Sequence, residues 1–221
     1  SFRSIHHDDT TPAGCFHIDI VKTNPRPGYY LQLLGTFNDG GWMERNWNYY
    51  YFFLKKKQEG YEFMGRPLGH ISPCALGTDG PFTLAAALRG TDLLADMLLD
   101  TDFFLRLMDK LTNAIIARIK AYRVHLQIPM KGEFGFADDS VAMLSCEQYK
   151  RYVLTFHRRL CDEFSEPGRR NSIHLCGDAQ RLFPILRDSL NIYTFDTGFP
   201  INWDTIREEV GPDVLLYGGP P

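Results

Sequence analysis

From Gly69 onward the sequence predicts an α/β fold, a (β/α)8 barrel of the TIM type that is incomplete at both ends of this chain. Two observations carry the prediction. Short apolar, β-like runs alternate with helical periodicity in the order strand, helices, strand, helix, strand, helix, strand, helix, strand, which is a βαβ series. Several runs also end on polar or turn residues: Asp138 and Asp139, His174 and Cys176, Asp196, and the Gly218-Gly219 turn. Strands joined by right-handed crossovers can form an open doubly wound sheet or most of a barrel. Polar groups at successive strand ends favour the barrel, whose enzymes assemble their sites on that rim. Residues 1–68 form an aromatic-rich amino-terminal segment of helices with a candidate first barrel strand, and residues 69–221 form the central βα units.

The totals narrow the function classes. The chain has 221 residues, 44% hydrophobic and 23% charged, the composition of an ordinary folded protein. A net charge of −3 gives no basic footprint for nucleic acid, so a small molecule or a protein is the expected partner. No run approaches the roughly 18 apolar residues of a membrane span. The five cysteines are scattered without a CxxC pattern and no signal peptide is visible, so reduced thiols and a cytoplasmic location are expected. The first residue is Ser, and the last residues stop just after a strand-like run. The remaining barrel strands are therefore expected from the aromatic segment and from beyond Pro221.

Taken in order, His6-His7-Asp8-Asp9 contains metal-ligating residue types, but near a chain end such a run reads as a solvated loop. Cys15 to Val21 alternates apolar and polar residues, a strand with His17 and Asp19 on its polar face. Tyr29 to Phe63 is aromatic enough for a flat-ligand pocket, a subunit interface or ordinary core. Lys55-Lys56-Lys57 reads as a solvated helix end. Gly69 to Ala75 is a short strand, and Pro81 opens a helical stretch that continues from Leu84 to Leu99. The loop between them lacks GxGxxG and Walker spacings, so it reads as a site wall rather than a nucleotide motif.

Asp100 or Thr101 caps a long helix in which Phe104, Met108, Leu111, Ile115, Ile119 and Tyr122 recur at three- and four-residue steps, a core stripe that Pro129 ends. Gly132 to Ala137 leads into Asp138-Asp139-Ser140. Two carboxylates buried together repel each other, which suits acid/base work, while an exposed acidic turn explains them as well. Ser145-Cys146-Glu147-Gln148 has the capping-box form and starts a helix to about Phe164. Asn191 to Phe195 is a strand with Asp196 at its end, Asn202 caps a helix closed by Gly211-Pro212, and Asp213 to Tyr217 is the last strand.

The chain is organised around Ser172-Ile173-His174-Leu175-Cys176-Gly177-Asp178. If this run is extended, the strand period of two puts His174 and Cys176 on one face. Their α-carbons then lie roughly 6.5 Å apart, a gap that zinc can bridge with bonds of about 2.0 Å to nitrogen and 2.3 Å to sulfur. A buried strand with a small apolar Cys and a hydrogen-bonded His is the other reading, because two ligands do not make a metal site. Gly177 lets the chain turn, and Asp178 is the expected N-cap of a helix from Ala179 to Leu190.

Five blocks resemble, in order, the uroporphyrinogen decarboxylase superfamily: Gly77 to Ala85, Gly135 to Ser140, His174 to Asp178, Phe195 to Pro200 and Leu216 to Pro220. Within it, His-x-Cys-Gly is similar to the zinc motif of the corrinoid-dependent methyltransferases. True uroporphyrinogen decarboxylases lack this motif and carry an arginine-rich amino-terminal substrate segment that is not found here. The resemblance implies a (β/α)8 barrel and a zinc-bound site that moves a methyl group between a corrinoid of the methylcobalamin type and a thiol or folate acceptor. A corrinoid protein and a small-molecule methyl acceptor are the implied partners, and a homodimer is compatible with the pattern. Carried over by position, His174 and Cys176 are the zinc ligands. A further cysteine follows far downstream in the methyltransferases, and none of Cys15, Cys74, Cys146 or Cys161 matches it. Asp139, with Asp138 and Asp196, is the candidate for acid/base or substrate contacts. Two other readings stay open: a metal-free decarboxylase of a tetrapyrrole or another carboxylate, and a non-catalytic corrinoid-binding barrel.

Overall fold

The computed structural model describes residues 17–23, 28–34, 41–72 and 79–218. The expectations for His6 to Asp9, Cys15, Phe16, residues 73–78 and Gly219 lie outside them. Residues 1–76 with 124–126 form one compact unit, and residues 77–123 with 127–221 form a second.

In the first unit, β1 (His17–Thr23) pairs antiparallel with β2 (Gly28–Leu34), from His17 opposite Leu34 to Thr23 opposite Gly28. The alternating strand expected at Cys15 to Val21 is, over its described residues, half of this antiparallel pair. A barrel strand is covered on both faces and reads as a continuous apolar run, whereas His17-Ile18-Asp19-Ile20 alternates as an antiparallel strand does. Helix α1 (Gly41–Gln58) carries Lys55, Lys56 and Lys57 in its last turn, where cations complement the helix dipole. Trp47 is buried, with its ring centroid 4.5 Å from that of His125, and Tyr51 Oη lies 2.7 Å from His125 Nε2. Strands β3 (Glu62–Phe63) and β4 (Arg66–Pro67) close over Met64 and Gly65, both at positive φ, as a two-residue hairpin turn requires.

The second unit holds the predicted βα series from its helices onward; of the first strand expected over Gly69 to Ala75, the described residues 69–72 are not in a strand. Helices α2 (Pro81–Arg89), α3 (Asp92–Leu99) and α4 (Thr101–His125) come first. The single helical stretch expected through Leu99 is two helices, because Gly90 ends the first with φ of 66°. The predicted core stripe of α4 is buried throughout: Phe104, Met108, Leu111, Ile115, Ile119 and Tyr122. Strand β5 (Gly135–Ala137) leads through a 3-10 turn, Asp139–Met143, into α5 (Cys146–Tyr152) and α6 (Leu154–Phe164). Ser145 and Gln148 form the predicted capping box at the start of α5.

Strand β6 (Asn171–Leu175), α7 (Phe183–Leu190), β7 (Ile192–Thr197), α8 (Trp203–Val210) and β8 (Leu215–Tyr217) complete the series. Asn202 caps α8 as predicted, its side chain accepting from the Asp204 and Thr205 amides. Asp178 does not cap a helix: Gln180–Leu182 is a 3-10 turn, and α7 starts only at Phe183 with Pro184 in its first turn.

All of β5, β6, β7 and β8 run parallel and lie side by side in chain order, the arrangement of a barrel wall. Asp79 adds a parallel bridge to Ala137 on the far edge of β5. Ile173, Leu175, Ile192 and Phe195 are buried on the sheet, and Phe195 stacks on Phe183 of α7 with centroids 4.3 Å apart. Each buried side chain of this size contributes about 2 kcal/mol.

Cys161 of α6 is part of this core. Burial, then the neighbouring Asp162 charge, pushes its thiol up to about 12. A thiol in the unfolded chain ionises near 8.5, so this contribution is complete below about pH 8.5 and is lost as pH rises toward 12. Between pH 9 and 11 the group should remove up to about 1.4 kcal/mol of stability per pH unit. Urea unfolding at stepped pH should show a flatter decline in Cys161→Ala than in wild type over that interval, and equal slopes would contradict the assignment.

Candidate metal centre

The site is built from one row of the parallel sheet. The register sets Ala137 beside His174, His174 beside Asp196, and Asp196 beside Tyr217. Adjacent strands bring these side chains within reach of each other, and His174 Nδ1 lies 2.8 Å from Asp196 Oδ2. The period of two then brings Cys176 to the same side, with its Sγ 2.9 Å from His174 Nε2. Gly177, at φ of 79°, turns the chain out of β6. Gly198 comes close behind: a Cβ there would sit 3.2 Å from Cys176 Cα and 3.3 Å from the Gly177 nitrogen.

Asp139 reaches the same point from the loop after β5. Its Oδ1 accepts the Cys176 backbone N–H at 2.6 Å and lies 3.7 Å from His174 Nε2. One ligand atom from each of Asp139, His174 and Cys176 lies within 4.8 Å of the other two.

A carboxylate, an imidazole and a thiolate are a donor set that zinc accepts. Tetrahedral zinc with bonds near 2.0 and 2.3 Å places its donors roughly 3.5 Å apart. The Asp139 to His174 separation of 3.7 Å meets that requirement, and the 2.9 Å between His174 and Cys176 must open by about half an ångström. Asp196 stands behind the ring on its other nitrogen, where a carboxylate orients a ligating histidine. Burial first, then the charge of Asp139, its hydrogen bond and the charge of Asp196, push the Cys176 thiol up. A bound cation would supply the opposite influence and favour the thiolate.

The two adjacent aspartates do not form the pair that the sequence suggests. Neighbouring residues at a strand end point to opposite sides, so only one of them can face this group. Asp138 is fully buried, and its carboxylate accepts from Phe82 N at 3.1 Å, Thr83 N at 2.6 Å and Thr83 Oγ1 at 2.7 Å. It thereby caps α2, whose own N-cap residue, Gly80, has no side chain to do so. A Cβ on Gly80 would run into the Asp138 carboxylate. His157 Nε2 lies 2.7 Å from Asp138 Oδ2, and Tyr149 Oη lies 2.9 Å from His157 Nδ1. Burial and then the Asp138 charge hold the Tyr149 phenol well above its ordinary range, so it stays protonated and can donate to the ring. Asp138, expected as an acid/base candidate beside Asp139, is thus placed in a buried network with Phe82, Thr83 and His157, apart from the Asp139, His174 and Cys176 group. His157 and Thr83 escaped the sequence reading; the available signal was a histidine in step with Phe156, Leu160 and Phe164 on the apolar side of α6.

A cavity of about 570 Å³ is lined by Ser172, Ile173, His174, Thr194, Asp196 and Tyr217 together with residues of β5. Small hydroxyls and a phenol lie there beside the imidazole and the carboxylate, among apolar lining from Phe136 and Ile173, room enough for a small molecule.

The Uroporphyrinogen decarboxylase (URO-D) family model matches residues 66–219. A methylated-thiol–coenzyme M methyltransferase of Methanosarcina mazei is 30% identical over 145 residues, which are 62% of this chain and 36% of that protein. The solved structure of a methyltransferase from Methanosarcina mazei matches with a TM-score of 0.58 at 15% identity, over 92% of this chain and 59% of that one. The second likeness is one of fold, a TIM-type barrel. This chain spans less than two thirds of the length of either relative.

The buried network makes its own prediction. Asp138→Asn replaces an acceptor for several N–H and O–H groups by an amide that must turn a donor toward one of them, and it leaves His157 without its anionic partner. A loss of about 3 kcal/mol in urea unfolding is expected. A change below about 0.5 kcal/mol, the level of an ordinary surface substitution, would show that the network does not hold α2 in place.

Proposed function

This chain belongs to the uroporphyrinogen decarboxylase family, and from that premise we propose that it is a zinc-dependent methyltransferase, moving a methyl group between a corrinoid held by a partner protein and a small thiol or folate acceptor. The observation that supports this best is the meeting of Asp139, His174 and Cys176, with Asp196 behind the imidazole. The Methanosarcina mazei relative works on methylated thiols by its name, which favours a thiol over a folate here.

Each residue has a defined task. His174 presents Nε2 to the metal because Asp196 holds Nδ1. Cys176 supplies the sulfur ligand, and Asp139 supplies an oxygen ligand from the neighbouring loop. Zinc bound there would hold an acceptor thiol as its thiolate near neutral pH. In the overall transfer the acceptor sulfur gains the methyl carbon, and the electron pair of the broken cobalt–carbon bond stays with the corrinoid. Ser172 and Thr194 offer hydroxyls to the acceptor within the cavity beside the ring.

Zinc content measured by elemental mass spectrometry tests the proposal. Wild type should carry about one zinc per chain, and His174→Ala and Cys176→Ala should both lose it while keeping their far-ultraviolet circular dichroism. Transfer from methylcobalamin to a small thiol should fall by roughly a hundredfold in both variants. A folded wild type that takes up no zinc would contradict the proposal. Carbon dioxide release from a tetrapyrrole carboxylate by that metal-free protein would assign it to decarboxylation instead.

A further inference from the structure

Gln180 and Arg181 sit in the 3-10 turn between β6 and α7, outside the donor set. Arg181 Nη2 donates to the carbonyls of Ala142 at 2.6 Å and Leu144 at 2.7 Å, Nε donates to Leu144 O at 3.2 Å, and Nη1 donates to Asp178 O. Ala142 lies in the 3-10 turn that starts at Asp139, and Leu144 is its C-cap. One guanidinium thus fastens the loop carrying Asp139 to the loop that follows Cys176. Gln180 works in the other direction: its Oε1 accepts Asn202 N–H at 2.8 Å, and its Nε2 donates to Thr205 Oγ1 at 2.9 Å, which ties the same turn to the start of α8.

This matters because the donors differ in how they are fixed. His174 and Cys176 belong to one strand end, so their separation follows from the strand. Asp139 comes from a different loop, and its distance to them depends on how that loop is held. Resting on the metal reading above, we infer that Arg181 is a positioning residue for the metal centre, setting Asp139 against Cys176, with Gln180 securing the turn from which Arg181 reaches out. A planar fork can serve carbonyls on two loops at once, whereas the point charge of a lysine cannot.

The test compares wild type, Arg181→Ala and Arg181→Lys, with zinc affinity measured by chelator competition and the visible spectrum recorded after cobalt(II) loading. Loss of an outer-shell partner costs 10- to 100-fold in metal affinity in general. Arg181→Ala should bind zinc at least about tenfold more weakly and shift the cobalt spectrum, and Arg181→Lys, which keeps charge and stem should the alanine variant fail to fold, should not restore either. Wild-type affinity and spectrum in both variants would overturn the positioning role and leave the metal centre standing. If wild type takes up neither metal, the metal reading falls and a metal-free measurement decides. Asp139→Cys supplies a second thiol, and the rate of its oxidative cross-link to Cys176, identified by peptide mass spectrometry, reports how the two positions are held. A rate at least about tenfold lower with Arg181→Ala supports the positioning role, and an unchanged rate overturns it.

Discussion

The parallel register of β6 between β5 and β7 is the constraint on which the rest of the site depends. It sets His174 in a row with Ala137, Asp196 and Tyr217, and the contact of His174 with Asp196 follows from that row. The register is itself specified by the opposite set of residues. Ile173, Leu175 and Phe195 are buried, and a slip of one residue would exchange them with His174 and Asp196. Exposing three such side chains costs several kcal/mol at about 2 kcal/mol each. The apolar face therefore holds the polar face in place, although it takes no part in the chemistry.

A second layer supports the loop after β5. Asp138 joins the start of α2 to α5 and α6 through Thr83, His157 and Tyr149, and Ser140 N–H donates to Thr83 Oγ1 at 3.0 Å. Asp139 lies between these anchored neighbours. Fully satisfied buried polar networks rigidify their surroundings, and here the rigid element carries a proposed ligand. The two adjacent carboxylates thus part company, Asp138 holding the loop and Asp139 facing the proposed metal site.

His174 and Cys176 were legible in the sequence because a strand has a strict period of two, so their shared face needed no tertiary information. The βα order was legible for a similar reason, since its signals are local: the Ser145 capping box and the Asn202 cap stand where they were expected. The fate of Asp138 and Asp139 was not legible. Which of two neighbours turns inward is decided by what waits behind the strand, and the partners Phe82 and Thr83 lie 56 and 55 residues before Asp138, and His157 19 residues after it. Asp196 could be placed on the rim, but its contact with His174 required the β6–β7 register. The start of α7 was misplaced because Asp178 satisfies local capping chemistry while Pro184 favours a later first turn. No helix among the described residues is long and apolar enough to cross a membrane, as hydropathy indicated.

On the proposed function, His174, Cys176 and Asp139 bind one ion together. X-ray absorption at the zinc edge of the loaded full chain tests it most directly. Joint binding by these three residues gives one sulfur neighbour near 2.3 Å with the remaining neighbours nitrogen or oxygen near 2.0 to 2.2 Å, and loss of the sulfur shell in Cys176→Ala. A wild-type spectrum with no sulfur neighbour, or a sulfur shell that survives Cys176→Ala, would contradict it.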